Sequence, residues 1–222
     1  MLRILIADDH ELARRGIRAV LENHPGWEVC AEATDGRETV ELAASVRPDV
    51  VLLDIGMPNL NGLEAARQIL AMTPNVAILI LTMHDSDNVV REVLRAGARG
   101  FLLKSDAGRD LVSAVEALQS QRTFFTTRVS QMVLNGFLDR DGHACLRSLE
   151  SGEMGSDALT SREREVIQLL AEGKTSKEVA VALNLSVKTA ETHRTNLMRK
   201  LDLHSVADLT RYAVRNGIVQ VF

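Results

Sequence analysis

An open parallel α/β sheet followed by a small all-helical module is the fold class that this 222-residue sequence predicts. Three observations carry the prediction. Over residues 1–120, short runs of aliphatic and β-branched residues alternate with stretches that place apolar residues at helical spacing. Several of the short runs, Val76–Leu81 above all, are apolar throughout, as strands covered on both faces are. From Leu159 onward the strand-like runs stop and helix start signals recur.

In chain order, strands are predicted over Arg3–Ala7, Glu28–Ala33, Asp49–Asp54, Val76–Thr82 and Arg99–Lys104. Helices are predicted between and after them, over Glu11–Asn23, Asp35–Val46, Gly62–Met72, Ser86–Ala96 and Asp106–Leu118. Five βα units in this length fit a flavodoxin-like, doubly wound parallel five-stranded domain over residues 1–120. Phe124–Leu138 reads as a short strand-like piece and one more helix. Asp139–Asp157 carries DRDG, ESGE and GSD with little periodicity, so residues 121–154 form a helix and a flexible linker.

Residues 155–222 read as about four short helices. Thr160 with Glu163 and Thr175 with Glu178 match the S/T-x-x-E capping box, and Gly173 stops the first helix. Ser186 caps a longer helix from about Val187 to Leu201, and Ser205 with Asp208 opens the last. Thr175–Leu183, the turn Asn184-Leu185-Ser186 and the longer helix have helix–turn–helix spacing.

Composition narrows the function. No run approaches the roughly 18 apolar residues of a membrane span, and Asp8-Asp9 interrupts the first apolar run too early for a signal peptide. Two cysteines, Cys30 and Cys145, give neither metal spacing nor a disulfide framework, which suits a reducing compartment. A cytoplasmic protein with no membrane partner is the expectation. The net charge of −4 is uneven: residues 1–120 carry 12 basic against 18 acidic side chains, and residues 155–222 carry 10 against 8. An acidic front half suits a cation, and a mildly basic tail suits phosphate backbone.

The acidic residues fall where a doubly wound sheet binds ligands. Asp8 and Asp9 end the first predicted strand, Asp54 the third, Thr82 the fourth and Lys104 the fifth, all on the carboxyl edge. Each alone reads equally as a turn, cap or surface residue. Together, three carboxylates repel one another unless a cation or proton intervenes, and an oxygen-only donor set favours Mg²⁺. A hydroxyl and an ammonium across the same edge can hold phosphoryl oxygens, which describes a phosphorylatable aspartate.

These residues resemble the receiver domain of two-component response regulators: DD at 8–9, LLDIGMPNLNG around Asp54, LT at 81–82 and GFLLK ending at Lys104. The resemblance implies that Asp54 accepts a phosphoryl group from a sensor histidine kinase. It implies Mg²⁺ held by Asp9, Asp54 and the Gly56 carbonyl, with Asp8 acting through water, while Thr82 and Lys104 contact phosphoryl oxygens. Phe101 matches the switch aromatic, which would turn inward as Thr82 moves toward the phosphate. Two positions depart from common receivers: Met83 replaces a small residue and Ser105 a proline. His84 lies where the family tunes phosphate lifetime.

Projected at 100° per residue, Lys188, Thr192, Thr195 and Arg199 share one stripe of the longer helix, with Glu191 at its margin. Val187, Ala190, Leu197 and Leu201 fall opposite and should pack on the preceding helices. The stretch LTSREREVIQLLAEGKTSKEVAVALNLSVKTAETHRTNLMRKL resembles the LuxR/NarL-type helix–turn–helix domain. That resemblance implies double-stranded promoter DNA as partner, with base contacts from Glu191, Thr192 and Thr195 and phosphate contacts from Lys177, Lys188, Arg194, Arg199 and Lys200. It also implies a homodimer as the active form, paired through the last helix.

The expected whole is a DNA-binding transcriptional regulator of the NarL/FixJ type and not an enzyme. Two alternatives remain at this stage. One is a DNA-binding regulator that acts without phosphorylation. The other is an aspartate-nucleophile phosphatase, for which Asp54-Ile55-Gly56 lacks the second Asp of D-x-D-x-T.

Overall fold

The computed structural model describes residues 1–83, 86–126, 129–131 and 159–219. Its first half alternates β1 (Leu2–Ala7), α1 (Glu11–Glu22), β2 (Trp27–Ala33), α2 (Gly36–Val46), β3 (Val50–Asp54), α3 (Gly62–Met72), β4 (Ala77–Thr82), α4 (Asp87–Arg95), β5 (Gly100–Leu103) and α5 (Ala107–Gln119). The strands pair in parallel in the order β2-β1-β3-β4-β5. That is the flavodoxin-like order, with its reversal between β1 and β3.

The all-apolar strands are explained by their two covered faces. Leu5, Ala7, Val51, Leu53, Ile78, Ile80 and Phe101 pack with α2, α3 and α4. Their neighbours Ile4, Ile6, Val50, Leu52, Leu79, Leu81 and Leu102 pack with α1 and α5. The period of two thus sends alternate residues into two cores, and neither face is left to solvent.

Local chemistry starts the helices where the sequence indicates. The Asp35 carboxylate accepts from the Arg37 and Glu38 amides at α2, and Asn61 Oδ1 accepts from the Glu64 amide at α3. Two glycines allow close approach. A Cβ on Gly62 would lie 2.0 Å from the Asp54 carbonyl oxygen, and one on Gly36 equally close to that of Leu60. The first sets the β3–α3 loop against the end of β3, and the second sets it against the start of α2.

Lys104 does not end the fifth strand as expected. It opens a 3-10 turn, Lys104–Asp106, one residue beyond β5. The strand-like piece after α5 is present in minimal form: Phe124 bridges Gly100 in parallel, its amide on the Arg99 carbonyl and its carbonyl on the Phe101 amide. Residues 129–131 are helical. The rest of the expected helix to Leu138, the expected linker and His84 lie outside the described residues.

The tail folds as α6 (Ser161–Ala171), α7 (Ser176–Ala182), α8 (Val187–Lys200) and α9 (Val206–Arg215). Both capping boxes form, at Thr160/Glu163 and Thr175/Glu178. Gly173 adopts φ +86° just past α6, and Asn184 adopts φ 51° in the turn between α7 and α8. Val166, Leu169, Val179, Ala190, Leu197, Leu209 and Ala213 form a core separate from those of the sheet. Val187 was expected inside but is exposed. It is the first residue of α8, and Cβ atoms tilt toward a helix N-terminus, which carries this one past the packed turns. No helix among the described residues is long and apolar enough to cross a membrane.

Candidate phosphoacceptor site and DNA-reading face

The carboxyl edge gathers the predicted residues at the switch point between β1 and β3. Oxygen atoms of Asp8, Asp9 and Asp54 and a nitrogen of His10 lie within 4.8 Å of one another. Asp8 is fully buried and Asp54 is 2% exposed. Lys104 Nζ reaches across from the far strand to 2.8 Å from Asp8 Oδ2 and 3.0 Å from Asp54 Oδ2.

Burial pushes the Asp54 carboxyl above the ordinary carboxylate value; Lys104 pulls against this, and Asp8 and Asp9 add to it. Burial also works against the Lys104 ammonium, but Asp54 and Asp8 outweigh it and raise its pKa. One ammonium faces three carboxylates, so the site holds more negative charge than its own cation neutralises. Asp8 Oδ2 and Asp9 Oδ1 are buried oxygens that make no hydrogen bond beyond their ion pairs to Lys104 and His10. Such oxygen donors, part of them unspent, suit a hard divalent cation.

Thr82 is buried at the end of β4, on the same edge. Met83, next to it, is 64% exposed. Phe101 is fully buried in the core on the α3–α4 side. An inward turn therefore has no outward starting point in this structure, because the ring already fills the space that such a turn would take. His10 escaped the sequence reading: its Nδ1 lies 2.7 Å from Asp9 Oδ1 and 3.3 Å from Asp8 Oδ1. The only signal for it was its position directly after the acidic pair.

The other predicted face lies on α8. Lys188, Glu191, Thr192, Thr195 and Arg199 are exposed, as is Lys177 on α7. The Thr192 and Thr195 hydroxyls donate to the carbonyls of Lys188 and Glu191, four residues back, which turns their lone pairs outward as acceptors. Arg194 is half-buried. Lys200 departs further from a free phosphate contact, since its Nζ lies 2.9 Å from Glu163 Oε2 on α6. That ammonium and the Thr160 amide overcome burial and hold the Glu163 carboxyl below the usual range.

Sequence reasoning also missed a contact between the two halves. Gln168 on α6 accepts from the Asn61 amide at 2.7 Å and donates to the Met57 carbonyl at 3.0 Å. Glu165 meets Arg37 and Gln68, while Glu172 and Lys174 meet Asn59. On the sequence these are ordinary polar residues of helix and turn, and nothing in their spacing marks a partner 97 to 128 residues away.

Comparison with known proteins gives the family. Residues 4–116 match the response regulator receiver domain, and residues 157–213 match the bacterial regulatory proteins of the luxR family. The chain belongs to the response regulators. It is 38% identical to the transcriptional regulatory protein LiaR of Bacillus subtilis, covering 99% of this chain and all of that one. It is 34% identical to the response regulator UvrY of Escherichia coli over 98% of this chain and 96% of that one. Among solved structures, the RcsB–DNA complex is 28% identical, with a TM-score of 0.56, over 97% of this chain and 98% of that one. RcsB of Salmonella enterica serovar Typhimurium bound to promoter DNA with a phosphomimetic is 28% identical, with a TM-score of 0.59, over 95% and 97%. This response regulator therefore joins a receiver domain to a luxR-type DNA-binding domain and is a transcriptional regulator.

Proposed function

We propose that Asp54 is the phosphoacceptor through which a sensor histidine kinase controls DNA binding by the helical tail. The carrying observation is the Lys104 ammonium set 3.0 Å from Asp54 and 2.8 Å from Asp8 inside an acidic cluster at the β1/β3 switch point. In the transfer, an Asp54 carboxylate oxygen attacks phosphorus, the phosphorus–nitrogen bond to the donor histidine breaks, and its electron pair stays on the imidazole, which then takes up a proton. Asp9, Asp54 and the Gly56 carbonyl would hold Mg²⁺, with Asp8 through water. The cation, when bound, neutralises the oxygens of the phosphoryl group. Lys104 and Thr82 bind those oxygens as they arrive, so charge built up at a buried aspartate is met by groups already in place.

Residues 1–120, 121–154 and 155–222 serve as receiver, connecting segment and DNA reader. The helix α8 enters the major groove, Glu191, Thr192 and Thr195 face base edges, and Lys177, Lys188, Arg194 and Arg199 meet phosphates. The structures of two RcsB dimers on two DNAs support a homodimer as the active form. Action in the cytoplasm follows from a partner that is chromosomal DNA. A turnover enzyme is disfavoured, because the residue two after Asp54 is Gly56 instead of a second acid.

The test is binding to duplexes selected from a random pool, read by fluorescence anisotropy with and without Mg²⁺ and acetyl phosphate. The wild type should tighten at least tenfold with the phosphodonor, and Asp54→Asn should not respond. Equal affinity under all conditions would defeat phosphoryl control and favour a regulator that binds without it.

A further inference from the structure

Away from the carboxyl edge, a cleft of about 660 Å³, part of it open to solvent, lies between the two halves of the chain. The first half contributes Arg67 of α3 and Glu92 and Arg95 of α4. The second half contributes Arg164 of α6 and Tyr212 of α9.

The charges at this cleft do not balance. Arg67 Nη2 lies 2.8 Å from Glu92 Oε2, and its Nη1 lies 3.1 Å from Oε2 of the buried Glu64. Arg95 Nη1 lies 2.9 Å from Glu92 Oε1. Arg164 is left over. Its one ion pair among the described residues is a 3.9 Å approach to Glu64 Oε2, an oxygen that Arg67 already holds more closely. That distance is too long for a hydrogen bond, and among the described residues the Arg164 guanidinium donates none.

Burial, and after it the charge of Arg67, holds Arg164 below the ordinary arginine value, against the pull of Glu64, Glu92 and Tyr212. Three guanidiniums thus meet two carboxylates, and the excess charge sits on the half-buried one whose donors are not engaged. Water can accept from those N–H groups, but it leaves the charge uncompensated.

We propose that this cleft is a binding site for a small oxyanion, a metabolite that carries a carboxylate or phosphate head on a compact body. The head pairs with Arg164, whose planar fork meets two oxygens at once. Arg67 and Arg95 keep N–H groups beyond those given to Glu64 and Glu92, and these complete the cradle. Glu64 and Glu92 also set the limit: one net negative charge restores balance, and a polyanion overshoots it. Because Arg164 belongs to one half of the chain and Arg67 and Arg95 to the other, the same anion bridges the halves. It is an input that requires no chemistry at Asp54.

Tyr212 is the only tyrosine of the chain, so fluorotyrosine labelling gives the full-length protein a single fluorine resonance, placed in the cleft. That resonance is followed at pH 7 and constant ionic strength as chloride is replaced by acetate, benzoate or inorganic phosphate. Mg²⁺ is left out, so that the carboxyl edge, with its excess of carboxylates, repels the probes. Wild type should shift saturably with at least one of the three anions. Arg164→Met should weaken the tightest of them at least about tenfold, as loss of a charge-assisted pair of hydrogen bonds requires. Arg164→Lys keeps the charge without the fork and should weaken it at least about threefold. Arg15→Gln, which removes an exposed arginine on α1, should bind as wild type does. Circular dichroism checks that each variant is folded, and if Arg164→Met is not, Arg164→Lys decides. No saturable shift with any of the three anions, or wild-type affinity in either folded Arg164 variant, overturns the proposal.

Discussion

Replacing Asp54 with Asn should make the receiver more stable, not less, when Mg²⁺ is absent. Oxygens of Asp8, Asp9 and Asp54 lie within 4.8 Å of one another, and at an effective dielectric of about 20 each repulsion across that distance costs about 3.5 kcal/mol. The attraction to Lys104 at 3.0 Å returns about 5.5 kcal/mol on the same scale. Two repulsions against one attraction leave Asp54 unfavourable by about 1–2 kcal/mol, and burial of the charge acts in the same direction. Urea unfolding read at Trp27, the only tryptophan and a buried one stacked on His24, reports this domain. At pH 7 without Mg²⁺, Asp54→Asn should raise stability by about 1–2 kcal/mol. The pH sign follows from the raised pKa of Asp54: the folded wild type binds the extra proton, so its ionisation penalty is present above that raised value. As pH falls through it the gap should narrow, closing below the ordinary value of 3.8. Millimolar Mg²⁺ should stabilise the wild type more than the variant. A variant less stable than wild type at pH 7 without Mg²⁺ would refute the charge accounting.

Other changes act through different contacts. Lys104→Met removes the one ammonium from a buried acidic cluster and should cost about 3–5 kcal/mol by urea unfolding at neutral pH. Because the folded pKa of Lys104 lies above 10.5, the wild type should keep that advantage until pH rises through the raised value; equal stabilities at pH 8 would contradict the pairing. Gly62→Ala forces a Cβ to within 2.0 Å of the Asp54 carbonyl oxygen and should cost at least about 1–3 kcal/mol, with unchanged stability the contrary result. Thr160→Ala opens the capping box on α6 and should lower the stability of the helical domain by about 0.5–2 kcal/mol, seen in the melting of its helices. Lys188→Ala should weaken binding to all duplexes alike and lower the salt slope by about one unit, while loss at selected sequences alone would make it a base reader.

How far the sequence carried the structure differs by element. The strands were legible because alternate residues enter two apolar cores, which makes runs such as Ala77–Leu81 unmistakable. The carboxyl-edge site was legible because strand ends in a doubly wound sheet converge, so four separate positions reported one place. The helical tail was legible through its caps, whose donors and acceptors sit three residues apart. Contacts between the halves were not. Gln168 and Asn61 are 107 positions apart, and neither residue type marks burial by itself. Val187 was misplaced because a helical projection treats every residue alike and ignores the helix end. Lys200 kept its predicted place but not its freedom, because Glu163, which takes its ammonium, lies on another helix.

The most direct measurement on the central claim is intact mass of the full chain after incubation with Mg²⁺ and acetyl phosphate, with peptide mapping of any adduct. The account predicts a single phosphoryl group on the wild type, located at Asp54, and none on Asp54→Asn. An adduct that persists in Asp54→Asn, or a wild type that stays unmodified even when Met83→Ala is tested beside it, would contradict the assignment of Asp54 as the acceptor.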